Sequence, residues 1–201
     1  MSEYFDQLAS TWEQNPMRIE RASATAERVR KTSISSYRHL VDFGGGTGLL
    51  GCLLADQFER VTVVDTSQAM LKEAEQKALT NSLSNIDTST ALPSQPASAL
   101  VTLMALHHVK DLEGFFSHAS VCLEAGGTLM IADLYKEDGS FHHYEPGFDG
   151  HNGFDIEQLS KMLTQHHFTV EGESQYFSIT KEDADGELRD YPLFFLVATK
   201  N

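Results

Sequence analysis

The feature that most narrows the fold is VDFGGGTGLLG, residues 41–51, where five glycines follow a short apolar run. A strand that feeds such a segment must turn sharply and bring its backbone close to a neighbour, because glycine takes positive φ without steric cost. The flanks continue the pattern. HLVDF (39–43) reads as a strand, and LLGCLLADQF (49–58) has helical periodicity weakened by Gly51. RVTVVD (60–65) is β-branched and reads as a second strand. Strand, glycine turn, helix and strand form the opening unit of a parallel sheet with helices on both faces.

The alternation runs on. Residues 3–14 and about 17–32 read as helices separated by Asn15-Pro16, the first carrying Tyr4, Phe5, Leu8 and Trp12 at helical spacing. Thr66 and Ser67 can cap the helix SQAMLKEAEQKAL, and NIDTS (85–89) is a short strand. ALVTLMAL (99–106) and TLMIADLY (128–135) are continuous apolar runs, as in strands buried on both faces. Between them DLEGFFSHASVCL (111–123) is an amphipathic helix ended by Glu124-Ala125-Gly126-Gly127. A polar loop over 136–154 precedes the helix FDIEQLSKMLTQHH and two last strands, FTVEGESQYFSIT and YPLFFLVATK. The connection EDADGELRD is too short for a crossover, so these strands pair antiparallel. The expectation is an α/β, Rossmann-like, doubly wound sheet in a single domain over 1–201, with an N-terminal helical cap (1–35).

Composition bounds the partners. The chain of 201 residues carries a net charge of −14, which repels a phosphate backbone and disfavours nucleic acid. Cys52 and Cys122 sit in apolar runs and form no disulfide framework. The N-terminus lacks a basic start with an apolar segment, and no run is long enough to cross a bilayer. A cytoplasmic protein without membrane association is expected.

Ligands of doubly wound sheets lie outside the carboxyl ends of the strands. The loops after Phe43, Asp65, Ile86 and Met104 should meet there. Asp65 ends the second strand, where a carboxylate can accept both hydroxyls of a ribose; this supports adenosine without choosing a cofactor. Gly46-Thr47-Gly48-Leu49-Leu50-Gly51 fits the dinucleotide pattern G-x-G-x-x-G, yet that register leaves Gly44 and Gly45 unexplained. Asp42, just ahead of the glycines, suits a ligand bearing ammonium and sulfonium and is awkward beside a pyrophosphate. The register Gly44-x-Gly46-x-Gly48 with Asp42 therefore favours S-adenosylmethionine (SAM) over NAD.

VDFGGGTG, VTVVDTSQAML, ALVTLMALHHVKD and LEAGGTLMIADLY together resemble the successive motifs of class I SAM-dependent methyltransferases, nearest the small-molecule branch of ubiquinone-biosynthesis and glycine N-methyltransferases. The resemblance covers about residues 1–135. It implies a seven-stranded sheet with an antiparallel last strand, SAM as cofactor and a small-molecule methyl acceptor. By motif it implies cofactor contacts from Asp42, Gly44, Gly46, Gly48, Asp65, Thr66, Met70, Asp87, Thr88 and Met104. His107 or His108 would stand where the methyl points, as a base for an acceptor; either can instead pack or cap the following helix. The family's aspartate at the start of the fourth strand is Ser98 here.

The loop 136–154 holds His142, His143 and His151, expected to face the acceptor, with Phe141, Tyr144 and Phe148 as apolar walls. Its histidines and carboxylates are irregularly spaced and place no two ligands on one helical face, so the sequence assigns no metal. A SAM-binding protein without catalysis is the second class of function, and an NAD-dependent oxidoreductase the third.

Overall fold

A computed structural model describes residues 2–145, 147–183 and 185–201; Met1 of the cap and Pro146 of the long loop lie outside the described residues. Seven strands form one sheet: β1 (His39–Phe43), β2 (Arg60–Val64), β3 (Ile86–Ser89), β4 (Ala97–Leu103), β5 (Leu123–Leu134), β6 (Phe168–Glu182) and β7 (Leu188–Lys200). Their order is β3-β2-β1-β4-β5-β7-β6, with β7 antiparallel to both β5 and β6 and the remaining neighbours parallel. The chain order reverses between β1 and β4, the place where such sheets open a crevice for ligands.

The six helices are α1 (Ser2–Leu8), α2 (Pro16–Lys31), α3 (Leu49–Leu54), α4 (Gln68–Thr80), α5 (Leu112–Cys122) and α6 (Ile156–Gln165). Their starts follow local chemistry. The side chains of Asn15, Ser67, Asp111 and Asp155 accept bonds from the backbone N–H of Met17, Met70, Gly114 and Gln158, satisfying donors that a helix leaves free. Among the described residues no helix is long and apolar enough to cross a membrane.

Alternate strand residues supply the two core layers. Val41, Leu100, Leu129 and Ile131 pack with Phe115, Phe116 and Leu163 on one face; Leu40, Val101, Met130 and Ala132 pack with Val29, Leu50 and Leu54 on the other. Each such buried aliphatic contributes about 1.5–3 kcal/mol. Ser98 fastens β4 to β1, accepting from His39 N at 3.0 Å and donating to His39 O at 2.9 Å. The small hydroxyl at the position where the family often has aspartate thus serves the sheet.

Element bounds differ from the sequence reading at several points, among them β4, which runs Ala97–Leu103, and β7, which begins at Leu188. The first helix is α only to Leu8 and continues as a 3₁₀ turn over Ala9–Gln14. The helix after the glycines stops at Leu54, four residues early. Glu124 to Gly127 belong to β5, as a bulge: β4–β5 pairing shifts between Ala97↔Leu123 and Ala99↔Thr128.

Candidate active site

The glycine loop is shaped by close approach. Gly44 and Gly45 both donate to Val64 O, at 2.7 and 3.1 Å, which ties the end of β1 to β2. Gly44 has φ +66°, and a Cβ there would collide with that of Ala105 beyond β4. Gly46 has φ +54°, yet a Cβ there would meet only Met70 Sδ, at 3.7 Å. The backbone at Gly46 therefore faces room that a ligand can use, whereas Gly44 is needed for packing between the loops.

Asp42 lies under this loop, 1 % exposed. Its Oδ2 accepts from Gly51 N at 2.8 Å, and its Oδ1 has no partner among the described residues. Burial pushes the carboxyl up to about 7, against the Gly51 N–H; nearby Asp65 raises it further and Lys77 lowers it. Asp65 uses both oxygens on backbone: Oδ2 accepts from Gly46 N at 2.9 Å and Oδ1 from Ser67 N at 2.8 Å. Each oxygen retains a lone pair. An orphaned buried carboxylate oxygen, an open glycine cradle and a second acidic side chain fit a cationic ligand with a ribose.

The N-terminal cap is pinned across this region. Ser67 Oγ donates to Asp6 at 2.5 Å, and Thr47 Oγ1 donates to Glu13 at 2.6 Å. Lys77 pairs with the same Glu13 carboxylate and donates to Thr47 O at 2.8 Å. Sequence reading found the cap's aromatics and passed over these polar ties.

At the end of β4, Met104 has φ +52°, and the 3₁₀ turn Leu106–His108 follows. His107 Nδ1 meets Asp133 Oδ1 at 2.6 Å, and Asp133 Oδ2 accepts from His107 N at 3.2 Å. Both residues are buried. With the Nδ1 proton directed at the carboxylate, Nε2 is left to accept. Asp133 was missed by motif reading, although an acid inside the apolar run TLMIADLY is itself a signal.

His142 comes from the long loop to join this pair. Polar ring atoms of His107, His108 and His142 lie within 4.8 Å of one another. His142 stacks on Phe148 with centroids 3.7 Å apart, and His108 meets Phe5 of the cap edge-on at 5.3 Å. Burial, and then the other imidazoles, push His108 and His142 down to about 3, so both are neutral near pH 7.

The other predicted site residues separate. His151 donates its Nε2 proton to Val109 O at 2.9 Å, and its backbone N–H to His107 O at 2.7 Å. It latches the loop to the 3₁₀ turn. His143 turns its Nδ1 to Ser140 O at 2.6 Å. Neither belongs to the His107–His108–His142 group. Thr66 is exposed, and Met70 is buried beneath Gly46. Asp87 pairs with Arg60 at 2.7 Å and stands opposite Thr62, two residues short of the strand's end. Thr88 donates to Glu75 at 2.6 Å. Ser89, whose carbonyl accepts from Asp65 N at 3.1 Å, occupies the level of the glycine loop.

Arg21 also belongs to this neighbourhood, within electrostatic reach of Tyr176, Arg18 and Asp133. Burial pushes its guanidinium down to about 10, and its Nε has no partner among the described residues.

An α/β sheet with a glycine turn and an acidic residue at its switch point is of the class that opens a ligand crevice at that place. The profile of a methyltransferase domain matches residues 41–131. An uncharacterized methyltransferase of Bacillus pumilus is 30% identical over 146 residues, 70% of this chain and 67% of that protein. A trans-aconitate 2-methyltransferase of Delftia acidovorans is 32% identical over 117 residues, 56% of this chain and 44% of that protein. The crystal structure of a SAM-dependent methyltransferase from Aquifex aeolicus superposes with a TM-score of 0.70 at 15% identity, covering 100% of this chain and 99% of that one. The chain belongs to the methyltransferase family. It spans about half the length of several curated relatives it matches.

Proposed function

We propose that this protein transfers a methyl group from SAM to a small-molecule acceptor. The observation that carries the reading is the meeting of two devices: Gly44 packs on Ala105, so the glycine cradle over Asp42 adjoins the turn bearing His107 and His108. Asp42, Gly44, Gly46, Gly48 and Asp65 would hold SAM, with Met104 beside them at the end of β4. Bound SAM supplies a methyl group already made electrophilic by the sulfonium. The chain's own work is alignment and proton handling, and proximity accounts for much of such acceleration. His107, oriented by Asp133, presents Nε2 as an acceptor for a proton. His108 and the stacked His142 line the same space. The cap and the loop 136–154 exclude water.

Arg21 favours an acceptor with an anionic group, since this partly buried guanidinium has an unpartnered Nε and no ion pair among the described residues, and a ligand can supply a carboxylate. The trans-aconitate methyltransferase among the relatives acts on a molecule of that kind. Free thiols at Cys52 and Cys122 support a reducing, cytoplasmic setting.

Calorimetry with SAM, S-adenosylhomocysteine and NAD tests the cofactor. Binding of the first two is expected; binding of NAD alone would overturn the reading. S-adenosylhomocysteine release is then measured across small carboxylic acids and amines, with turnover expected among the acids.

A further inference from the structure

The geometry points to a divalent transition-metal site formed by the imidazoles of His107, His108 and His142. Polar atoms of the three rings already lie within 4.8 Å of one another. With zinc-to-nitrogen distances of about 2.0–2.1 Å, tetrahedral ligands sit about 3.4 Å apart, so closing on an ion requires a contraction of roughly 1 Å. Two of the rings come from one turn, and the third from a loop that His151 and the Lys110–Asp149 ion pair fasten to that turn.

Two further observations point to a ligand. His108 Nδ1 and His142 Nδ1 are buried without partners among the described residues, and His142 is only 4 % exposed. A buried polar atom left unmet is destabilising, a strong reason for these nitrogens to be met by something. His107 donates its Nδ1 proton to Asp133, the carboxylate–histidine arrangement that orients metal-binding imidazoles and raises their basicity. An all-imidazole set suits zinc, cobalt, nickel or copper and not magnesium or calcium.

Three protein ligands leave a fourth position open, as in catalytic zinc sites. An acceptor oxygen bound there would be acidified. That last step rests on the methyl-transfer reading; metal binding itself does not.

The test uses the full chain, freed of any affinity tag and stripped of metal, titrated with Co(II) and with Zn(II). Saturable 1:1 binding is expected, with Kd below about 1 μM and a visible Co(II) ligand-field spectrum. His142→Ala should weaken binding at least about 100-fold, and Asp133→Asn, a positioning change, about 10–100-fold. His142→Cys should restore a ligand and add a thiolate-to-Co(II) charge-transfer band, which packing alone cannot produce. His143→Ala should bind like the parent. Absence of saturable binding, unchanged affinity in His142→Ala, or no new band in His142→Cys would overturn the site and leave three imidazole rings packed around Phe5 and Phe148. SAM titration of the same preparations keeps the two readings apart: SAM binding without metal defeats only the metal site, and metal without SAM defeats only the proposed function.

Discussion

At the scale of single residues, Asp42 carries the most informative chemistry. Its carboxyl is raised to about 7 in the folded chain by burial, against about 3.9 when unfolded. The folded state therefore holds this proton more tightly, and the associated stability is present at low pH and lost as pH rises through the interval from about 4 to 7. A shift of about three units corresponds to about 4 kcal/mol. Urea denaturation of the ligand-free protein should show a falling contribution over that window, and Asp42→Asn should flatten it. Added SAM should restore stability above pH 7 in the parent chain more than in Asp42→Asn, since its cationic end meets the ionised form. The glycines offer a second contrast. Gly44→Ala sets a methyl against Ala105 at φ +66° and should cost about 2–4 kcal/mol of stability. Gly46→Ala, at φ +54° with open space beyond Met70, should cost about 1 kcal/mol and act mainly on SAM affinity. Thermal melts and SAM calorimetry on the two variants separate the roles. Sequence showed that both glycines were needed; the reason for each lies in what stands opposite, and that is long-range information.

At the scale of elements, strand and helix identities were legible from their periods, helped at α4 by the capping Ser67. The place of Asp87 was not legible, because β3 is short and its register is fixed by pairing with β2, which puts Asp87 opposite Thr62. The loop 136–154 was legible as a long polar connection, and its internal arrangement was not. Which of its histidines turns inward depends on the turn Ser140–His142 and on the latch from His151 to Val109 O. Removing that latch, with His151→Ala, should raise amide exchange in residues 140–152 about ten-fold and change global stability by about 1 kcal/mol. Exchange mass spectrometry reads both. The cap behaves in the same manner: Glu13→Gln weakens its pairing with Lys77 and should speed SAM release several-fold, measured by stopped flow.

At the scale of the whole molecule, the site depends on a strand far from it in sequence. β7 lies between β5 and β6 and pairs along Leu134–Thr128, the strand that carries Asp133 to the cluster. The apolar run YPLFFLVATK announced a buried strand, and the short turn after Glu182 pairs it with β6; its burial suits the inner place beside β5, and the more exposed β6 forms the edge. Phe195 is 1 % exposed on this strand, opposite Ala132, with Tyr176 against its ring at 5.9 Å and the Arg28 guanidinium over it. Phe195→Ala should therefore cost about 3–5 kcal/mol and lower Tm by about 10 °C. Because Ala132 precedes Asp133, the cavity should also loosen the His107–Asp133 bond, so a His107 ring resonance followed by NMR should shift. Leu188, 75 % exposed at the start of the same strand, is the control, and Leu188→Ala should leave both readouts unchanged. A loss of stability in Phe195→Ala with the His107 resonance unmoved would mean that β7 supports the sheet without setting the position of Asp133.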